Sequence, residues 1–200
     1  MNHLQQSLAD EQGCVERAQK DMDSFRVLYT HYLPRVYAYV GYRVARVQDT
    51  EDIVSETFVR AVDGLGRFQW KREGSFAAWL FRIAHNLVED HRRQLRRLGE
   101  PLELADLPEL EDSMLLPDDI VLQKEKFAYL RSLVQGLPPR QQEVVTLRLF
   151  GGLRNREIAQ VLGLNERTVA SHLCRAIEDM HRSYVQDSAT VARLDGAFDG

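Results

Sequence analysis

The feature that most limits what this chain can fold into is a break near its middle. Residues 100–119, EPLELADLPELEDSMLLPDD, hold three prolines and eight acidic side chains, with no sustained helical or alternating period. Proline lacks the N–H that a helix interior needs and pushes its predecessor toward extended backbone, so this stretch reads as a linker. With 200 residues the chain can bury one medium core or two small ones, and the break predicts two.

Charge follows the same division. The net charge of -4 is unusual for a nucleic-acid binder, but it is unevenly spread. Residues 25–99 carry 13 basic and 8 acidic side chains, residues 126–185 carry 9 and 5, and the intervening 100–125 carry 1 and 9. Two basic blocks are thus joined by an acidic connector, and the terminal segments 1–24 and 186–200 are mildly acidic.

Several classes of protein are disfavoured. No stretch approaches the roughly 18 consecutive apolar residues of a membrane span, and the start MNHLQQSLADEQG has no signal-peptide hydrophobic region, so a cytoplasmic location without membrane insertion is expected. Cys14 and Cys174 are far apart, with no CxxC or Cys/His cluster, so neither a disulfide framework nor a metal site is expected. No nucleophile–base constellation is visible either. The expectation is a binding protein without a cofactor, not an enzyme.

Apolar residues recur at helical spacing on both sides of the linker. Phe25, Leu28, Tyr29, Tyr32, Val36, Tyr39 and Val40 outline one buried face. A second helix, capped by Asp49 or Thr50, runs through Ile53, Val54, Phe58, Ala61 and Val62 until Gly64 and Gly66 stop it. A third starts near Ser75, a plausible cap, and reaches about Leu98; its expected core stripe is Phe76, Leu80, Ile83, Ala84 and Leu87. After the linker come a helix from about Ile120 to Val134, then GLPPR with proline suited to a first helical turn, then segments at 138–150, about 154–162 and about 166–184. No strand pattern is visible, so the expected class is all-α.

The segment NREIAQVLGLNERTVASHLCRAIEDMHRSY has the parts of a helix-turn-helix. Ile158, Ala159 and Leu162 face inward, Gly163 supplies the turn, Asn165 can cap the second helix, and Val169, Leu173, Ala176, Ile177 and Met180 form its apolar stripe. Arg167, Ser171, Arg175 and Arg182 fall together on the opposite face, the geometry by which recognition helices enter a major groove. This motif resembles both the C-terminal domain of LuxR-type regulators and region 4 of the sigma-70 family. The first half decides between them: DTEDIVSETFVRAVDGLGRF followed by GSFAAWLFRIAHNLVEDHRR resembles region 2 of compact, extracytoplasmic-function (ECF) sigma factors.

That resemblance implies two small helical domains, a region 2 bundle and a region 4 helix-turn-helix, joined by the acidic linker. The boundaries are an N-terminal extension at 1–21, region 2 at 22–98, the linker at 99–120, region 4 at 121–185 and a C-terminal tail at 186–200. It implies docking on core RNA polymerase, on the β′ clamp helices and the β flap, with Asp49, Glu51, Asp52, Ser55, Glu56 and Phe58 at the clamp. It implies minus-10 recognition and melting by Phe68, Trp70, Lys71, Arg72, Arg82, His85, Asn86, Arg92 and Arg93, aromatics and cations being what single-stranded DNA requires. Minus-35 duplex falls to Arg167, Thr168, Ser171, His172, Arg175 and Arg182, and an anti-sigma factor is an expected regulator.

There are departures from the family pattern. Arg154 stands where a capping Ser is usual, a loss of about 1 kcal/mol unless Asn155 takes over. Arg167 replaces a common Gly and Ala170 a frequent basic residue, so promoter preference does not carry over. The 26 residues of 100–125 can span at most about 90 Å. That compares with roughly 85 Å of duplex between elements 25 base pairs apart, so both promoter elements are within reach. The alternatives are a stand-alone helix-turn-helix regulator and, more remotely, an enzyme.

Overall fold

A computed structural model describes residues 10–44, 46–99 and 129–195, with side chains to residue 186. The linker and most of the predicted helix beginning near Ile120 lie outside the described residues. Among the described residues the secondary structure is helical, with no strand. The helices are α1 (Glu11–Ala18), α2 (Phe25–Arg43), α3 (Val47–Leu65), α4 (Ser75–Leu98), α5 (129–135), α6 (Pro139–Leu149), α7 (Asn155–Leu162) and α8 (Glu166–Asp195), with a 3-10 turn at Met22–Ser24.

The stripes predicted for α2–α4 are largely the buried ones. Along α2, Phe25, Leu28, Tyr32, Val36, Tyr39 and Val40 are buried, whereas Tyr29, on the same stripe by spacing, is 40% exposed. Its ring still meets Phe58 of α3 edge-on at 4.7 Å. Along α4 the buried line is Phe76, Leu80, Phe81, Ala84 and Val88, so the stripe is rotated slightly from the expected one and leaves Ile83 and Leu87 half-buried. Truncating a buried ring such as Phe76 to Ala would cost about 3–5 kcal/mol.

Helix starts differ from expectation. The Thr50 N–H already bonds Arg46 O, so α3 begins at Val47 and Asp49 lies in its first turn, complementing the dipole instead of capping. For α4 the N-cap is Gly74 at φ 76°, and Ser75 is the first helical residue; its hydroxyl accepts from Lys71 N–H at 3.4 Å. Gly64 does not stop α3, which runs on to Leu65. A Cβ at Gly64 would lie 2.9 Å from the Trp79 ring, so glycine there admits the indole instead of ending the helix.

The chain divides into two compact units, Met1–Glu109 with Thr146–Glu166, and Leu110–Val145 with Arg167–Gly200. In the first, α1–α4 are joined by α7 and the turn before it. Phe150 stacks on Tyr42 at 4.7 Å, and the buried Arg35 guanidinium donates to Gly151 O while lying 4.9 Å from the Tyr32 ring centre. In the second, Pro138 O accepts the first bonds of α6 from Gln141 and Gln142, placing Pro139 at the first helical position as expected. The Gln142 side-chain amide donates to Gln135 O and Leu137 O, and the Tyr129 and Tyr184 rings meet at 6.1 Å.

Candidate nucleic-acid and polymerase interfaces

The loop 66–74 between α3 and α4 carries the residues predicted to handle melted DNA. Phe68 is half-buried, its ring edge-on to Phe76 at 5.6 Å and tilted against Trp79 at 5.0 Å, so it belongs to a packed aromatic cluster. Trp70 is half-buried, and Lys71 and Arg72 are exposed. The loop closes at Gly74, where a Cβ would lie 2.0 Å from a Glu157 carboxylate oxygen; only glycine fits both that contact and the left-handed backbone. Beside it, Arg154 bonds Glu73 at 2.7 Å, and this charge-assisted bond holds the Glu73 carboxyl below its ordinary value.

On α4, Arg82, Asn86 and Arg93 share an exposed face at i, i+4 and i+11. Their engagements differ. The Arg82 guanidinium donates to Gln160 O of α7, Arg93 lies 3.5 Å from Asp90, and Arg92 lies 3.5 Å from Glu89. His85 is half-buried with Nδ1 hydrogen-bonded to Tyr39 OH at 3.0 Å, which ties it to the core of α2. Sequence reasoning missed two residues that touch the loop: Gln19, just after α1, donates to Leu65 O and Phe68 O, and Glu11 accepts from Gly74 N–H.

At the predicted polymerase face, Glu51, Asp52 and Ser55 are exposed near the start of α3. Glu56 pairs with Arg60 at 2.7 Å, and Asp49 lies 3.5 Å from His91 Nε2 of α4. Phe58, by contrast, is only 5% exposed, packed against Phe25 and Tyr29, so it supports the face from beneath. The face itself runs Asp52, Ser55, Glu56 and Val59, at i, i+3, i+4 and i+7, with Val59 supplying exposed apolar surface that sequence reasoning passed over.

In the helix-turn-helix segment Arg154 is the N-cap without a side-chain cap bond, and Asn155 does not take over that role; Glu157 supplies the other half of a capping box. The Glu157 carboxylate reaches back to accept the Arg154 N–H at 2.8 Å and the Arg154 Nε at 3.0 Å, which satisfies a donor at the start of α7. Asn155 is engaged elsewhere, accepting from Arg148 at 3.0 Å. Gly163, at φ 65°, ends α7, with Leu164 N–H bonding Ala159 O. Along α8, Arg167, Ser171, Arg175 and Arg182 are exposed, while Thr168 and His172 are half-buried. Val169 and Ala176 are buried, but Ile177 is 64% exposed, so the apolar stripe is narrower than expected. Helix α8 continues well past the predicted end near residue 184, to Asp195. Arg182 lies 3.2 Å from Asp179, which leaves Arg167 and Arg175 as the more prominent cations at its start.

Among the described residues no helix is long and apolar enough to cross a membrane, and no group of three or more His, Cys, Asp or Glu could hold a metal ion. Cys14 is buried and Cys174 exposed.

Known proteins share this arrangement. The family described as Sigma-70 region 2 matches residues 28–98, and that described as Sigma-70, region 4 matches residues 127–180. The chain is similar to the ECF RNA polymerase sigma factor BldN of Streptomyces coelicolor, 41% identical over 177 residues, 87% of this chain and 66% of that protein's length. It is similar to the ECF RNA polymerase sigma-E factor of Haemophilus influenzae, 30% identical, over 84% of this chain and 92% of the relative. The solved structure of the sigma factor RpoE from Bartonella quintana in complex with the anti-sigma factor NepR has a similar fold, with a TM-score of 0.60 at 20% identity, over 80% of this chain and 96% of the other. Regions 2 and 4 therefore occur together and in order, on a scaffold that exposes an acidic face on α3 and a cationic face on α8, and the chain belongs to the ECF class of the sigma-70 family.

Proposed function

We propose that this protein works by binding, not by bond-making, as a cytoplasmic initiation factor. It docks on core RNA polymerase through the Asp52, Ser55 and Glu56 face of α3, reads minus-35 duplex with the start of α8, and opens the minus-10 element with the loop 66–74 and α4. The polymerase performs the chemistry. The observation that carries this reading is the joint presence of regions 2 and 4 in one chain. Acidic side chains at the α3 face would contribute chiefly orientation and association rate when they meet a basic partner, while Arg167 and Arg175 on α8 suit base edges and phosphates.

An anti-sigma factor covering one or both of these surfaces is the proposed regulator. The reading is tested by reconstituting core polymerase with the purified protein: co-purification and promoter-specific run-off transcripts are expected. Duplex binding with no polymerase association would instead identify a stand-alone helix-turn-helix regulator.

A further inference from the structure

We infer that α1 and the residue following it position the minus-10 loop, with Gln19 setting where Phe68 is held and Glu11 fixing the loop's far end. The inference rests on the function proposed above and adds residues that lie before the matched region 2 span, which begins at residue 28.

The loop 66–74 has short-range backbone bonds at its ends: Arg67 N–H to Gly64 O, Phe68 N–H to Leu65 O, and Ser75 N–H to Arg72 O. Its remaining order has to come from elsewhere. The Gln19 amide nitrogen donates to Leu65 O at 3.0 Å and to Phe68 O at 2.7 Å. A primary amide has two N–H groups, and here both are used on one end of the loop. Leu65 is the last residue of α3, and its carbonyl oxygen accepts both the Phe68 N–H and the Gln19 amide, so one side chain ties the helix end to the Phe68 backbone.

Eight residues earlier, about 12 Å along a helix axis, Glu11 holds the other end. It is buried, one carboxylate oxygen accepting the Gly74 N–H at 3.3 Å and the other the Tyr32 hydroxyl. The segment from Glu11 to Gln19 therefore spans the loop from its first residues to its last. With the Phe68 backbone fixed, its ring is constrained between Phe76 and Trp79, and half-buried Trp70 and exposed Lys71 and Arg72 follow on a backbone anchored on both sides. An anchored loop presents one arrangement of aromatic and cationic groups to an unstacked base; a loose one presents several and discriminates less.

The test is a selection with holoenzyme, using full-length protein on core polymerase and a single-stranded DNA library randomised across a minus-10-length window. Gln19→Glu keeps the shape of the side chain but removes both donors, and Gln19→Arg restores donors. The expected result is that Gln19→Glu retains core binding and most of its thermal stability, yet its enrichment of the preferred base falls about three- to tenfold, less than the full net contribution of the two hydrogen bonds removed because Glu11 still anchors the far end of the loop. Gln19→Arg should recover part of that preference. Unchanged enrichment by Gln19→Glu overturns the inference. So does a loss of core binding or stability in proportion to the loss of base preference, which would make Gln19 a structural support only. If wild-type holoenzyme enriches no sequence and yields no run-off transcript, the proposed function fails, and this inference falls with it.

Discussion

The Arg35 guanidinium donates two hydrogen bonds, at 3.0 and 2.7 Å, to the carbonyl oxygen of Gly151, a residue 116 positions away in sequence. Both residues are buried, and Arg35 also lies over the Tyr32 and Phe81 rings. A Cβ on Gly151 would sit 2.7 Å from Leu147 O and 3.0 Å from the Phe81 ring, so glycine is what lets the turn approach α4 this closely. Gly151→Ala should therefore destabilise the protein by about 1–3 kcal/mol through overpacking. Arg35→Leu should cost about 1.5–3 kcal/mol for the charge-assisted bonds lost and the carbonyl left unpaired. Urea unfolding of each variant measures both.

The acidic face of α3 should behave as a docking surface. Asp52→Lys with Glu56→Lys reverses exposed or half-exposed charges, so helicity and melting temperature should change little. Affinity for core polymerase should fall, mainly through a slower association rate and more at low salt than at high salt. Association kinetics on immobilised core polymerase at two salt concentrations check this, and equal affinity would count against the clamp assignment.

Arg175 is exposed near the start of α8. Replacing it with Ala should weaken minus-35 binding by about 1–3 kcal/mol and relax preference at one base position if the side chain reads a base edge. Equal weakening on every sequence in a duplex binding panel would reduce Arg175 to a phosphate contact.

The two loop aromatics should separate. Phe68 packs against Phe76 and Trp79, so Phe68→Ala should lower thermal stability and impair duplex and pre-melted promoters alike. For Trp70→Ala, closed complexes should form nearly normally while permanganate reactivity of minus-10 thymines drops, because base stacking contributes about 1–3 kcal/mol to holding an extruded base. A promoter pre-melted by mismatches should rescue the Trp70 variant.

Stability should also depend on pH through His31. Burial, aided by the Arg35 charge, lowers its pKa from the ordinary 6.5. The folded state therefore favours the neutral ring, and the unfolded chain binds the proton more readily. His31's contribution is complete above about 6.5 and is lost as the pH falls from there through the lowered folded value. His31→Gln should flatten that part of the acid limb in denaturation midpoints measured from pH 8 to pH 5.

What the sequence by itself determined was whatever depends on neighbours within a few turns of helix. The buried lines on α2, α3 and α4, the proline at the start of α6, the turn at Gly163 and the exposed cations of α8 all follow from residue spacing, because helical geometry converts spacing directly into faces. What only the tertiary structure decided depends on partners far along the chain. Helix α1 was illegible because eight residues with Cys14, Val15 and Ala18 as their buried apolar positions make too weak a stripe, and Gln19 acts on carbonyls 46 and 49 residues away. The true helix starts were hidden because Asp49, Thr50 and Ser75 are good capping residues that end up inside the first turn, where backbone bonds take precedence. Phe68 read as a DNA-contact residue, and its packing against Phe76 and Trp79 is visible only in the fold. A sequence records which side chains can cap, pack or pair, but the choice among those options is made by which distant groups the fold brings within hydrogen-bonding or van der Waals distance.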